Sequence, residues 1–381
     1  MAKNLFSGKF REASVFLDER FLYPEFIPER LPFREKEIES LAYCFDPVLR
    51  GRKPFNAFVA GPTGVGKTAC VKYVLRELQD SFDRAKLLYL NCFEYNSRTA
   101  VLSAIANFVG AALPRRGLAT DEIFSKMAEY LRKCGYTPVV VLDEVDQLLL
   151  SEANSKTLYD LVRIVEHEKL SMGIVMISND TALTSRLDAR IKSSMAEQTV
   201  MFDPYGPAQL KGIISERAEL AFVKGALDNE VVNVAAAHAA RLGGDCRVAL
   251  ESLLKAGRIA ERANRPKVQL ADLASAFEDV DAVSLLKGLK HLDKDELGLL
   301  QIICQNQPVQ SGRVYELYSR GSGDGLKERR LRDILSVLEK QGLVEGRPIS
   351  LGNRGKSREY HVRAPRQLLE KEIEKQLSAK K

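Results

Sequence analysis

The sequence predicts an α/β P-loop domain built on a parallel sheet, followed by an all-helical lid and a C-terminal winged helix-turn-helix. Three observations carry this reading. Before Tyr205, apolar strand-like runs alternate with amphipathic helical patterns, and the first clear pair encloses the glycine-rich stretch from Gly61 to Thr68. After Tyr205 the alternation stops and only helical periodicity is left. From Leu285, three helical patterns precede two short β-type runs joined by a Gly-rich basic loop, which is the order of a winged helix. The expected domains are 1–204, 205–283 and 284–381.

Bulk properties agree. A chain of 381 residues is too long for one core. Hydrophobic residues at 45% and charged residues at 28% are ordinary for a folded, water-borne protein. No apolar run approaches the ~20 residues of a membrane helix, and MAKNLFSGKFREASVF carries no signal-peptide pattern. Cysteines 44, 70, 92, 134, 246 and 304 form no CxxC pair. They read as reduced thiols of a cytoplasmic protein, without a zinc site.

The first element is NAFVAGPTGVGKTACVKYVLREL: a short apolar strand, a loop and an amphipathic helix. Gly61, Pro62, Thr63, Gly64, Val65, Gly66, Lys67, Thr68 and Ala69 form a Walker A loop in its strand–loop–helix setting. The glycines let backbone N–H groups turn toward phosphates, and the helix N-terminus adds its positive dipole end. Lys67 would reach the β- and γ-phosphates of ATP, and the Thr68 hydroxyl would ligate Mg²⁺. A second strand follows at KLLYLNC (86–92).

Two helical patterns come next, Ser97–Ala112 and Thr120–Lys133, separated by LPRRG. A βα crossover needs one helix, so one of the two is an insertion. PRRG by itself also fits a plain solvated turn. PVVVLDEVDQLL then supplies a valine-rich strand of the doubly buried kind. Asp143 stands at its C-terminal end and can hold the Mg²⁺ shell, while Glu144 can orient and deprotonate the attacking water. The strand GIVMISND ends in Ser178 and Asn179. Asn179 is a candidate for positioning that water, with a helix cap as the alternative. LTSRLDARIKSSM offers Arg186, Arg190 and Lys192, one of which could face a neighbouring subunit's phosphate.

In the helical part, ARLGGDCRVALESLLKAGRIA starts a helix at Asp245. Arg247 lies in its first turn, where a cation opposes the helix dipole. Such a residue either serves a phosphate or is an incidental surface arginine.

In this order, the pieces resemble the AAA+ ATPases. Within them the chain is similar to the archaeal origin-recognition and cell-division-cycle replication initiators, through YPEFIPERLPFREKEIESL, VLDEVDQLL, FDPYGPAQL, GGDCRVAL and the C-terminal winged helix. The resemblance implies that Tyr205 and Arg217 help bind ATP or ADP, that Asn179 is sensor 1, and that Arg247 is sensor 2. It places Arg190 as the arginine finger, although Ala189 stands where a proline is common. It implies that the segment around Tyr23, Ile27 and Arg30 wraps the adenine. It makes the extra helix an initiator-specific, DNA-touching insertion, with Arg98, Arg115 and Arg116 as phosphate contacts.

The C-terminal elements complete the reading. Residues 284–381 hold 20 Lys+Arg against 13 Asp+Glu, while the remainder holds 37 against 38. A basic module on a nearly neutral engine points to nucleic acid; a solvated basic tail is the alternative. DKDELGLLQIICQ (293–305), SGRVYELYSR (311–320) and LKERRLRDILSVLEKQG (326–342) are the helices, and LVEGRPI and REYHVRA the hairpin strands. Lys327, Arg329, Arg330 and Arg332 occupy the half of the third helix that would enter a major groove. Arg354, Lys356 and Arg358 sit in GNRGKSREY, where glycines let a wing approach phosphates or a minor groove. Winged helices also serve as protein-docking modules.

The expected function is therefore an ATP-controlled, slowly hydrolysing initiator. It would bind double-stranded origin DNA, work with paralogous subunits and recruit the replicative helicase in an archaeal cytoplasm. An ATP-switched transcription regulator and a clamp-loader-like ATPase are the alternatives.

Overall fold

The computed structural model describes residues 14–114, 117–149, 157–162, 170–183, 192, 198–289, 292–321, 328–340, 343–350, 356–362 and 366–379. The chain divides into two compact units, Met1–Gln269 and Leu270–Lys381.

The first unit is built on a parallel sheet of β1 (Ala57–Ala60), β2 (Ala85–Asn91), β3 (Thr137–Asp143), β4 (Gly173–Ser178) and β5 (Thr199–Met201), in the order β2-β3-β4-β1-β5. Every residue of β1 and β4, and all of β3 after Thr137, is buried, as a sheet covered on both faces requires. Successive side chains feed opposite layers. Val59, Val141 and Ile177 pack toward α1 (Glu35–Phe45) and α2 (Lys67–Ser81). Phe58, Leu142 and Met176 pack toward α3 (Arg98–Phe108) and α4 (Thr120–Lys133).

Both α3 and α4 lie between β2 and β3, one helix more than the crossover needs. Ser97 caps α3, its hydroxyl accepting from the Ala100 N–H. Asp121 and Glu122 in the first turn of α4, with Arg132 and Lys133 in its last, complement the helix dipole. A single turn, α5 (Asp146–Leu149), follows Glu144. The edge strand β5 was not read from the sequence, because three residues with one buried carry too little pattern.

The lid helices are α6 (Pro207–Ala221), α7 (Asn229–Arg241) and α8 (Cys246–Arg262). Pro207 opens α6, where its missing N–H costs nothing. Residues 14–23, grouped by sequence with the first domain, are stitched to these helices. The Leu17 N–H donates to the Ala221 carbonyl, Phe16 packs on Phe222, and Arg258 pairs with Glu19 at 2.8 Å.

In the second unit, α9 (Leu270–Gly288) spans the expected junction at 283/284. It is followed by α10 (Lys294–Asn306), β6 (Val309–Gln310), α11 (Ser311–Gly321), α12 (Glu328–Lys340), β7 (Val344–Ser350), β8 (Lys356–Val362) and α13 (Arg366–Ala379). The sheet runs β6-β8-β7 and is antiparallel, so the expected hairpin gains a short third strand. Ile303, Val314, Ile334, Leu338 and Val344 form the core beneath it. Residues 366–379 are not a solvated tail: α13 drives Leu369 and Ile373 fully into this core. Among the described residues, no helix is long and apolar enough to cross a membrane.

Candidate functional site

The loop after β1 turns at Gly64 (φ 72°) and Gly66 (φ 90°) before α2 begins at Lys67. Both glycines are required by close approach as well as by φ. A Cβ at Gly64 would lie 1.6 Å from a carboxylate oxygen of Asp245, and one at Gly66 would lie 2.8 Å from the Tyr205 hydroxyl. The lid therefore sits directly on the phosphate loop, and the Cys246 N–H donates to the Gly64 carbonyl at 3.1 Å.

Lys67 is buried. Its ammonium donates to the carbonyls of Gly61 (2.8 Å) and Pro62 (2.6 Å) and to Oδ1 of Asn179 (2.8 Å). Burial pulls its pKa down to about 8, opposed by Glu144 and reinforced by Arg247. The other end of the Asn179 amide donates to Oε2 of Glu144. Glu144 itself has φ 56°, a conformation that non-glycine residues adopt at a cost and that clusters at functional sites. Burial, then Asp143 and Asp146, raise its pKa above the usual carboxylate range.

Asp143 is fixed from three sides. Oδ2 accepts from the Thr68 hydroxyl (2.8 Å) and the Tyr89 hydroxyl (2.5 Å), and Oδ1 accepts from the Glu144 N–H (2.9 Å). No group of three or more His, Cys, Asp or Glu side chains among the described residues could hold a metal. The Thr68 hydroxyl and the Asp143 carboxylate, two adjacent hard oxygens, instead fit Mg²⁺, which takes most of its shell from water and phosphates.

Most of the sequence-derived nucleotide-site residues converge on one cleft of about 830 Å³, which Gly61, Pro62, Thr63 and Val65 do not line. Gly64, Gly66, Lys67, Thr68, Ala69, Asp143, Glu144, Asn179, Tyr205, Arg217 and Arg247 line it together with Phe21, Phe26, Ile27 and Arg30. Tyr205 is buried, and burial pushes its hydroxyl up to about 12. Arg247, about half exposed, pairs with Asp245 at 3.3 Å. Arg217 directs its guanidinium to the backbone of residues 21–26. It donates to the carbonyls of Phe21, Tyr23 (3.0 Å) and Phe26 (3.3 Å), and it stacks over the Phe26 ring at 4.7 Å. It thereby shapes the wall around residues 21–30. The Tyr23 side chain bonds Glu19 instead of lining the cleft.

Sequence reasoning missed Arg34. This buried guanidinium donates to the Val65 carbonyl (3.1 Å) and the Asp203 carbonyl (2.7 Å), pairs with Glu37 (2.6 Å), and lies 4.0 Å over the Tyr205 ring. It ties the phosphate loop to the lid junction, a role that no local pattern announces.

Of the basic candidates, Arg190, Arg115, Arg116, Lys327 and Arg354 lie outside the described residues, and Lys356 is described only as the first residue of β8. Arg98 is held by Asp160 (2.7 Å) and Asp121 (3.5 Å). Arg329, Arg330 and Arg332 are exposed on α12, opposite the buried Leu331, Ile334 and Leu335. Arg330 pairs with Asp293 at 3.0 Å, and Arg358 pairs with Glu339 through both carboxylate oxygens.

An Archaeoglobus fulgidus protein, ORC1-type DNA replication protein 1, is 35% identical over 384 residues, covering 97% of this chain and 93% of the relative. The chain belongs to the ORC1-type DNA replication proteins. An ORC1-type relative from Thermococcus kodakarensis is 34% identical over 94% of this chain and 91% of its own length. Residues 53–183 match the AAA domain and residues 211–278 the Cdc6 AAA+ ATPase-type lid domain. This ORC1-type chain is thus an AAA+ P-loop ATPase in class. The solved structure of the Aeropyrum pernix ORC1 protein in complex with DNA is 34% identical, covers 97% of this chain and 99% of its own, and superposes with a TM-score of 0.76. The Aeropyrum pernix ORC2 protein, solved in ADPNP–ADP complexes, shares the fold at 20% identity and a TM-score of 0.72.

Proposed function

We propose that this ORC1-type protein is an ATP-controlled initiator that binds double-stranded origin DNA and recruits the replicative helicase, with slow hydrolysis as its switch. One observation carries the reading. Lys67, Thr68, Asp143, Glu144 and Asn179 meet in a single cleft that the lid closes with Arg247. Residues 1–204, 205–283 and 284–381 are the corresponding engine, lid and DNA module.

In this reading Lys67 and the loop N–H groups hold the β- and γ-phosphates of ATP. Thr68 and Asp143 hold Mg²⁺, which when bound neutralises phosphate charge. Glu144 takes the proton from the attacking water. Asn179 bridges Lys67 and Glu144 and holds the base in place for the attacking water. Lys67 must leave the Gly61 and Pro62 carbonyls to reach the phosphates, so turnover waits on a rearrangement. Arg247 must leave Asp245 to read the phosphate, which couples nucleotide to lid position. Arg190 serves as the finger toward a neighbouring, paralogous subunit. The exposed α12 arginines and the basic wing bind duplex DNA, in keeping with the DNA complex of the Aeropyrum pernix relative.

Footprinting of the full chain on chromosomal DNA, wild type beside Lys67→Ala, tests this. Nucleotide-dependent occupancy where replication forks start is the expected result. Occupancy confined to promoters, with expression changes and no fork starts, would replace it with a transcription regulator.

A further inference from the structure

Asp143 Oδ2 receives a hydroxyl from each side: Thr68 from the phosphate loop and Tyr89 from the neighbouring strand. The register explains the second. Asn91 of β2 stands beside Asp143 of β3, and Tyr89 beside Val141, so Tyr89 and Asp143 project from one face of adjacent strands. Tyr89 lines the cleft yet is only partly exposed. Its ring is backed by the Lys72 ammonium of α2, 4.2 Å from the ring centroid. A tyrosine on a strand, with few rotatable bonds, holds its hydroxyl more rigidly than a loop residue could.

We propose that Tyr89 is a positioning residue for the metal–nucleotide site, setting the rotation of Asp143 so that the Thr68 hydroxyl and the carboxylate present their oxygens together. This rests on the reading of the cleft as a Mg²⁺–nucleotide site. Asp143 Oδ1 is engaged by the Glu144 N–H and Oδ2 by the Thr68 hydroxyl, but Thr68 is itself one of the two oxygens offered to the metal. The Tyr89 hydroxyl adds a restraint from the neighbouring strand, independent of the metal's own ligands. Partners that orient a metal's carboxylate are worth roughly 10–100-fold in metal affinity. Tyr89 would therefore act on the metal-dependent part of nucleotide binding and leave the metal-free part alone.

The test is a titration of the full chain with a fluorescent ADP analogue, first in EDTA and then across a Mg²⁺ series. Tyr89→Phe keeps the ring and its packing against Lys72 and removes only the donor. Its affinity in EDTA should match wild type, while the half-saturating Mg²⁺ concentration rises by about tenfold or more. An unchanged Mg²⁺ midpoint, or an equal loss with and without Mg²⁺, overturns the inference, because a packing role would weaken both. A second measurement avoids the substitution. With 3-fluorotyrosine at position 89, the fluorine resonance of the ADP-bound protein should move as Mg²⁺ is added. A resonance that stays fixed while affinity rises also overturns it. Wild-type nucleotide affinity that ignores Mg²⁺ would remove the metal reading of the cleft itself, and this inference with it.

Discussion

Lys67 and Asn179 are hydrogen bonded at 2.8 Å, Nζ to Oδ1, and the same amide donates from its other end to Glu144. The side chain is thus a bridge between a cation and a carboxylate. The turn that follows β4 is capped by Asp180 instead, whose carboxylate accepts the Ala182 N–H, and Asp146 receives the Asn179 N–H. Asn179→Ala should therefore leave the thermal midpoint nearly unchanged and nucleotide affinity close to wild type. Turnover should fall on the order of a hundredfold, the scale of a misplaced general base. Single-turnover hydrolysis beside a melting curve checks this. A lower melting point with normal turnover would make Asn179 structural.

Lys67→Ala and Glu144→Gln should separate binding from chemistry. Among the cleft's described cations, Lys67 alone belongs to the phosphate loop, so its loss should abolish productive ATP binding. Glu144→Gln keeps Asp143 and Thr68 in place and should bind ATP while losing hydrolysis. Equal ATP affinity for Lys67→Ala and wild type would refute the loop assignment. Normal turnover in Glu144→Gln would refute the base.

Nucleotide binding should take up a proton above neutral pH. Burial holds the Lys67 pKa at about 8, well below the ordinary lysine value near 10.4. Glu144, Asp143, Asp146 and Arg247 are the charges that face it. At pH values above about 8 the free site is thus largely neutral at Lys67, and phosphate favours the protonated form. Affinity should fall as pH rises through this range, with proton uptake seen as a buffer-dependent enthalpy in calorimetry. Lys67→Arg, always charged, should show no such uptake in that range. Identical proton counts for both proteins would show that Lys67 keeps its charge in the free state.

Arg217→Ala should damage the base-binding wall and stability together. Three backbone carbonyls, of Phe21, Tyr23 and Phe26, share this one guanidinium. Hydrogen bonds to a charged donor contribute roughly 1.5–3 kcal/mol each, and their losses do not add fully. A destabilisation on the order of 3 kcal/mol is expected, with weaker binding of both ATP and ADP. Denaturant unfolding and nucleotide titration measure the two effects. If the change weakens ATP but not ADP, Arg217 contacts the γ-phosphate and not the wall.

What the sequence made legible follows from where its signals are local. Fully buried parallel strands read as unbroken apolar runs, so β1, β3 and β4 were visible with Asp143 and Asn179 at their ends. The helical pattern Thr120–Lys133 matches α4 residue for residue. Contacts made across the chain were not legible. Arg34 reaches Val65 and Asp203, and Tyr89 reaches Asp143, through the tertiary fold alone. Two residues of β6 hold no period. Helix α13 was hidden because charged and polar residues fill most of its positions, although Leu369 and Ile373 have helical spacing and are fully buried.

The two basic surfaces of the second unit should fail in different ways. On α12, Arg329 projects from the exposed face, while Leu331 and Ile334 anchor the helix. A rigid helix can present a guanidinium to a guanine edge, so Arg329→Ala should relax preference for one base by about 1–3 kcal/mol. The wing residues suit phosphate contacts, which carry little sequence information. Replacing Arg354, Lys356 and Arg358 with Ala should weaken binding to every duplex. It should also shallow the salt dependence by about 0.9 for each phosphate that the wing no longer neutralises. Arg358 is already shared with Glu339, its Nη1 lying 2.7 and 2.9 Å from the two carboxylate oxygens. Its part of that slope should therefore be less than a full phosphate contact, and Glu339→Gln should steepen the wild-type slope by releasing it. Titrations of each protein against origin and scrambled duplexes at several salt concentrations resolve these effects. If the triple mutant keeps wild-type affinity and slope, the wing does not touch phosphate. The charges at 354, 356 and 358 would then be better explained by docking against an acidic protein partner.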